Sequence, residues 1–230
     1  MDCKVTDIDW GVKVIYEDNH LIVAIKPAGV LSQSDGSNDP DMLTILKAYI
    51  KEKYQKPGEV YLGLVHRLDR PVSGVMVFAR TSKAASRLSE QIRTNKVDKI
   101  YRCVVQGVLE GSGRLENYIC KDETRNIVTV SDTAKPGFKS CFLDYRAIAT
   151  KDGLTLAEVR LGTGRPHQIR AQMSHSGHPL LGDQKYGKKD NKCRDVALQA
   201  FRLSFEHPVK CENISFEAPF PVDYPWSLFA

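Results

Sequence analysis

No stretch of this chain stays apolar long enough to span a bilayer, and Met1 to Trp10 is too polar for a secretory leader. The six cysteines, Cys3, Cys103, Cys120, Cys141, Cys193 and Cys211, contain no Cys-x-x-Cys pair, which argues against a zinc knuckle or a disulfide framework and for reduced thiols. No Gly-x-Ser-x-Gly elbow occurs, so serine hydrolase chemistry lacks its nucleophile. Internal repeats and low-complexity linkers are also missing. A cytoplasmic protein that acts without metal or cofactor is the expectation.

What is present is a 230-residue chain that is 42% hydrophobic, enough for one substantial core or two lobes of one. Its formal charge of +5 tilts the partner towards an acidic polymer. The distribution says more. Lys185, Lys188, Lys189, Lys192 and Arg194 crowd one loop, and Arg93, Lys96, Lys99 and Arg102 straddle a junction between a helix and a strand. Phosphate contacts account for both clusters if the ligand is a nucleic acid.

Periodicity sketches the elements. Val12 to Tyr16 and Leu21 to Ile25 read as a hairpin, and Asp39-Pro40 as the capped start of a helix carrying Leu43, Leu46, Tyr49 and Ile50. Ser82 opens a second helix that stops near Asn95. From Tyr101 to Val159 the pattern is strand and turn, with a hairpin signal at Asp152-Gly153. His167 to Ser174 reads as a short helix. Val196 to Phe205 reads as a strand with Ala200, Arg202 and Ser204 facing away from Phe201, Leu203 and Phe205. Helices and strands do not alternate regularly, which favours a mixed, mainly antiparallel sheet.

The most informative string is His66-Arg67-Leu68-Asp69-Arg70-Pro71-Val72-Ser73-Gly74, running into the apolar Val75-Met76-Val77-Phe78-Ala79. It sets a carboxylate between two guanidinium groups, which would keep it ionised at neutral pH, its reference pKa being about 3.9. Such a group serves as nucleophile, weak base or electrostatic anchor, and is a poor general acid. A second string lies far along the chain: Gly164-Arg165-Pro166-His167-Gln168-Ile169-Arg170-Ala171-Gln172-Met173, then Gly177-His178-Pro179-Leu180-Leu181-Gly182-Asp183-Gln184-Lys185-Tyr186-Gly187.

Together with Lys26-Pro27-Ala28-Gly29 and Lys99-Ile100-Tyr101-Arg102, these strings resemble, in order, the signature blocks of the RluA-type pseudouridine synthases. The resemblance implies an α+β fold, an antiparallel sheet in two lobes with a central cleft, forming a single catalytic domain over residues 1–230. The first block begins almost at once, so no separate RNA-binding domain is expected before it. The implied reaction turns uridine in ribosomal or transfer RNA into pseudouridine. RNA is then the partner, with no DNA and no membrane, and the chain is expected as a monomer.

By its place in the blocks, Asp69 matches the family's catalytic aspartate, Tyr101 the tyrosine that stacks on the base, and Arg170 the arginine expected to pair with the aspartate. Attack on the sugar, attack on the ring and removal of a sugar proton all need the same carboxylate oxygen. Arg67 is the candidate to fill the space of an extruded base. His66 is expected beside the substrate as a structural neighbour, and Leu198 with Ala200 as an apolar wall beneath the uracil. Arg165, His167 and Gln168 complete the substrate-binding set, with Lys188 and Lys189 on phosphate. Val72, Pro166, Gln172 and Gln199 depart from the residues usual in the family, which bears on the subfamily and the RNA target.

Other readings compete. Gly182 to Lys188 spells a phosphate-binding loop, but Lys189 replaces the hydroxyl residue that would hold magnesium. Gly162-Thr163-Gly164 starts a dinucleotide fingerprint that His167 spoils. His175 and His178 have helical spacing for a metal, yet Gly177 and Pro179 break that helix. A glycosidase would need a second carboxylate, for which Asp183 is the one obvious candidate. A non-catalytic RNA-binding protein on the same fold is the alternative function.

Overall fold

The computed structural model describes residues 5–188 and 193–230. Its elements run β1 (Thr6–Asp7), β2 (Lys13–Glu17), β3 (Leu21–Lys26), α1 (Met42–Lys53), β4 (Gly63–Leu64), β5 (Ser73–Ala79), α2 (Ser82–Arg93), β6 (Asp98–Gln106) and β7 (Ser112–Asp122). They continue with β8 (Ile127–Ser131), β9 (Lys139–Lys151), β10 (Leu154–Leu161), α3 (Gln168–His175), β11 (Leu198–Glu206) and β12 (Asn213–Glu217). The pairings given by register are antiparallel throughout. With three α-helices among the described residues, this is the mainly antiparallel α+β architecture expected.

The chain divides into two compact units, Met1–Asp98 with Arg202–Ala218, and Lys99–Phe201 with Pro219–Ala230. In the first, β3 lies between β2 and β5, and its sequence Leu-Ile-Val-Ala-Ile-Lys is buried at five of six positions because both faces are covered. Leu21, Val23, Val75, Val77, Leu88, Leu203 and Phe205 share one core cluster. Helix α1 buries Met42, Ile45, Leu46 and Ile50, one stripe of a 3.6-residue repeat. Its cap is Asp41, which accepts from the Thr44 N–H at 3.1 Å. Asp39, the expected cap, instead pairs with Arg70 at 2.7 Å. The helix begins at Met42, so Asp41, directly before it, holds the cap position that Asp39 does not reach.

In the second unit β6, β10, β9, β7 and β8 follow one another across the sheet. Asp152 and Gly153, with φ of 52° and 73°, make the tight turn between β9 and β10 that the Asp-Gly pair signals. Directly opposed residues share a face, so Tyr101, Val159 and Tyr145 lie on one side, and Leu143 and Cys141 follow by alternation. Helix α3 packs on that side: Ala171 joins Cys141, Ile119 and Val128 in a buried cluster. The other face carries Arg102, stacked 3.4 Å over the Phe201 ring.

Candidate active site

Asp69 sits in a turn closed by the Val72 N–H to its own carbonyl at 3.0 Å, just before β5. The backbone is held on both sides of it. The buried Ser32 hydroxyl donates to the Leu68 carbonyl at 2.7 Å and accepts from the Leu68 N–H at 3.0 Å. Beyond Asp69, the Arg70 carbonyl accepts from the Gly29 N–H at 2.9 Å and from the Lys26 ammonium at 3.0 Å. Lys26 is fully buried and also donates to the carbonyls of Val30 and Pro27, at 2.6 and 3.0 Å. A charge at the end of an apolar strand is thus satisfied by backbone oxygens, which is how a buried ammonium becomes tolerable. Lys26 and Ser32 are the residues whose part the sequence reading missed. A lysine closing the run Leu-Ile-Val-Ala-Ile was the available signal.

The flanking arginines do not act as a symmetric pair. Arg70 turns to the Gly29 carbonyl, at 3.0 Å, and to Asp39. Arg67 is exposed. His66 accepts from the Val77 N–H through Nε2 at 3.1 Å, tying the segment to β5. In a neutral ring the proton therefore lies on Nδ1.

Arg170 and Tyr101 belong to the second unit. Arg170 makes a bidentate pair with Asp183, Nε to Oδ2 at 2.7 Å and the second nitrogen to Oδ1 at 2.8 Å, with both side chains almost wholly buried. Asp183 Oδ1 also accepts from the N–H groups of Lys185 and Tyr186, at 3.0 and 3.2 Å. The Tyr186 ring stands 5.3 Å from the Arg170 guanidinium, and its hydroxyl joins the Val128 N–H at 2.8 Å to His167 Nδ1 at 2.7 Å. The string from Gly182 to Lys188 is therefore the turn that braces Arg170. Tyr186 is a third residue whose role the sequence reading did not reach.

His167 precedes α3 at φ 50°, in the left-handed region. Gln168 is buried and its amide is bonded within the protein: its oxygen accepts from the Thr163 hydroxyl at 2.8 Å and the Arg165 N–H at 3.0 Å, while its nitrogen donates to the Phe142 carbonyl at 2.9 Å and to Gln172 at 3.0 Å. It shapes the 162–167 loop. Gly162 is required there, because a Cβ would overlap the Phe142 ring. Arg165 is exposed, with Nε 3.3 Å from the Ser140 carbonyl. Leu198 and Ala200 are buried on alternate positions of β11. Lys188 is exposed, and Lys189 and Lys192 lie outside the described residues. His175 meets Asp132 at 2.9 Å and His178 faces the Gln106 carbonyl at 3.4 Å, so each ring has its own protein partner. The Cys103 thiol is pushed up to about 12 by burial, so it stays protonated and inert at neutral pH.

A family model described as RNA pseudouridylate synthase matches residues 20–175. The chain belongs to that family and is of its RluA type. It is 36% identical over 226 residues to ribosomal large subunit pseudouridine synthase D of Neisseria meningitidis serogroup A, covering 93% of this chain and 59% of the relative. It is 32% identical to the Pseudomonas aeruginosa protein of the same name, covering 96% and 72%. The chain thus spans less than two thirds of the Neisseria relative. In fold it is similar to human RNA pseudouridylate synthase domain containing 4, with a TM-score of 0.78 at 22% identity over 94% of this chain and 91% of that one.

Proposed function

We propose that this chain isomerises uridines in RNA to pseudouridine. The bond from the sugar C1′ to ring N1 breaks and C1′ joins C5; C5 gives up a proton and N1 takes one, so the reaction balances without redox change. Asp69 supplies the reacting carboxylate, Tyr101 the ring against the loosened uracil, and Arg170 the guanidinium for the carboxylate. The residues act within a single catalytic domain. The observation that carries this reading is the backbone clamp on either side of Asp69. Lys26, Gly29 and Ser32 fix the turn through main-chain atoms, so the backbone itself sets the position of the carboxylate.

The named relatives act on the large ribosomal subunit, which favours ribosomal over transfer RNA. A stacked uridine must be extruded, at a cost of a few kcal/mol, and the exposed Arg67 is suited to take its place in the stack. Leu198 forms the apolar floor, Arg165 and His167 border the strand, and Lys188 with Lys189 meets phosphate.

Release of tritium from C5 of labelled uridine in RNA tests this directly. The unaltered chain releases tritium, and Asp69→Asn releases none while its RNA affinity stays within a few fold. Turnover by a verified Asp69→Asn preparation would overturn the assignment of Asp69. RNA binding without any release by the unaltered chain would leave a non-catalytic binding protein.

A further inference from the structure

The second unit carries a cation, Lys99, for which the described residues provide no answering group. Lys99 stands two positions before Tyr101 on β6, so both side chains leave the strand on the face covered by α3. Its ammonium lies against the loop leading into α3, since a Cβ built at Gly164 would be 3.7 Å from its Nζ. Gly164 is exposed and bears no side chain, so the approach to the ammonium is open there.

Other cations of the same unit have contacts within it: Arg170 has Asp183, Arg165 faces the Ser140 carbonyl, Lys185 donates to the Asn126 carbonyl at 3.0 Å and Arg102 lies on Phe201. Lys99 is half-buried, and burial lowers its pKa below the ordinary lysine range with no hydrogen bond or opposite charge among the causes. Partial desolvation of an ammonium without an acceptor costs free energy that the fold does not recover. An incoming anion would recover it.

We infer that Lys99 binds a backbone phosphate of the RNA strand, next to the nucleotide whose base lies against Tyr101. The inference rests on the RNA-modifying reading above. Two residues along a strand span about 7 Å, so one nucleotide can touch both side chains. RNA brings a phosphate with every nucleotide, whereas the uracil and ribose bring no charge.

The test measures binding of a fluorescein-labelled single-stranded oligouridylate to the full chain as a function of salt, for the unaltered protein, Lys99→Met and Lys99→Arg. Loss of one charge-assisted hydrogen bond should weaken Lys99→Met roughly tenfold, and the slope of log affinity against log salt should shrink by about 0.7. Lys99→Arg should keep the slope. The Tm of Lys99→Met should not fall below that of the unaltered chain, because the change removes a desolvated charge and no bond. An unchanged slope and affinity would overturn the contact. So would a lowered Tm with a binding loss that Lys99→Arg does not restore, which marks a structural lysine. The two readings fail separately: salt-dependent binding that Lys99→Met flattens, without tritium release, sinks the catalytic reading alone, whereas tritium release with an unaltered slope sinks the contact alone. No binding by the unaltered chain would sink both.

Discussion

The turn at Asp69 is held by its backbone, and the helix at Arg170 by its side chains. Around Asp69, Ser32, Lys26 and Gly29 grip the carbonyls and N–H groups of Leu68 and Arg70. At α3, the guanidinium of Arg170 is itself a member of the brace formed with Asp183 and Tyr186. In the first unit a side chain can change while the frame stays. In the second, the guanidinium proposed for the chemistry is also part of what holds the fold.

The largest effect should come from breaking the second arrangement. Asp183→Ala strands the buried Arg170 charge and should cost about 3–5 kcal/mol in urea unfolding. The double change Arg170→Met with Asp183→Leu should recover most of that stability while remaining inactive. A single variant losing under about 1 kcal/mol would show that Arg170 is not committed to this pair.

A smaller loss should follow in the first unit. Ser32→Ala leaves both backbone groups of Leu68 without their partner and should cost about 1–3 kcal/mol. Activity should fall further than the folded fraction does, because the turn loosens around an intact carboxylate. Full turnover by folded Ser32→Ala would show that the clamp is not needed.

The smallest effect concerns a carboxylate that grips backbone. Burial pushes Asp18 upward, but the N–H groups of His20 and Leu21, with the Tyr16 hydroxyl and His207, outweigh it and hold the carboxyl at about 2, below its ordinary 3.8. A carboxyl depressed in the folded state adds stability above its unfolded pKa, and this is lost as pH falls through the folded one. Asp18→Asn should therefore cost at most about 2 kcal/mol at neutral pH. The difference from the unaltered chain should shrink below about pH 4 and be nearly gone near pH 2. A constant difference across that range would mean that the carboxylate's charge contributes nothing.

The hairpin at Leu21, the helix from Ser82, the turn at Asp152-Gly153 and the short helix expected over His167 to Ser174 were legible because each is a local pattern: alternation, a cap, a turn pair. Membership of the family was legible because four blocks carry unusual strings in order. Partnerships were less so. Arg70 beside Asp69 in sequence reaches Asp39 in space, and the bidentate partner of Arg170 within its own unit is Asp183, thirteen residues on. Gln168 was expected at the substrate, but its amide holds the Thr163 to Arg165 loop. Such choices are settled by tertiary distance, which no period along the chain encodes. Lys26 shows the same limit, since a lysine in an apolar strand declares that something must satisfy it without saying what.

Burial of Lys26 has a practical corollary. An amine enclosed by the carbonyls of Pro27, Val30 and Arg70 cannot be acylated while they surround it. Reagents that modify amines should mark exposed Lys188 at once and Lys26 only when the turn opens. The lag between the two marks would time the opening of the loop that carries Asp69, with no label added to the loop itself.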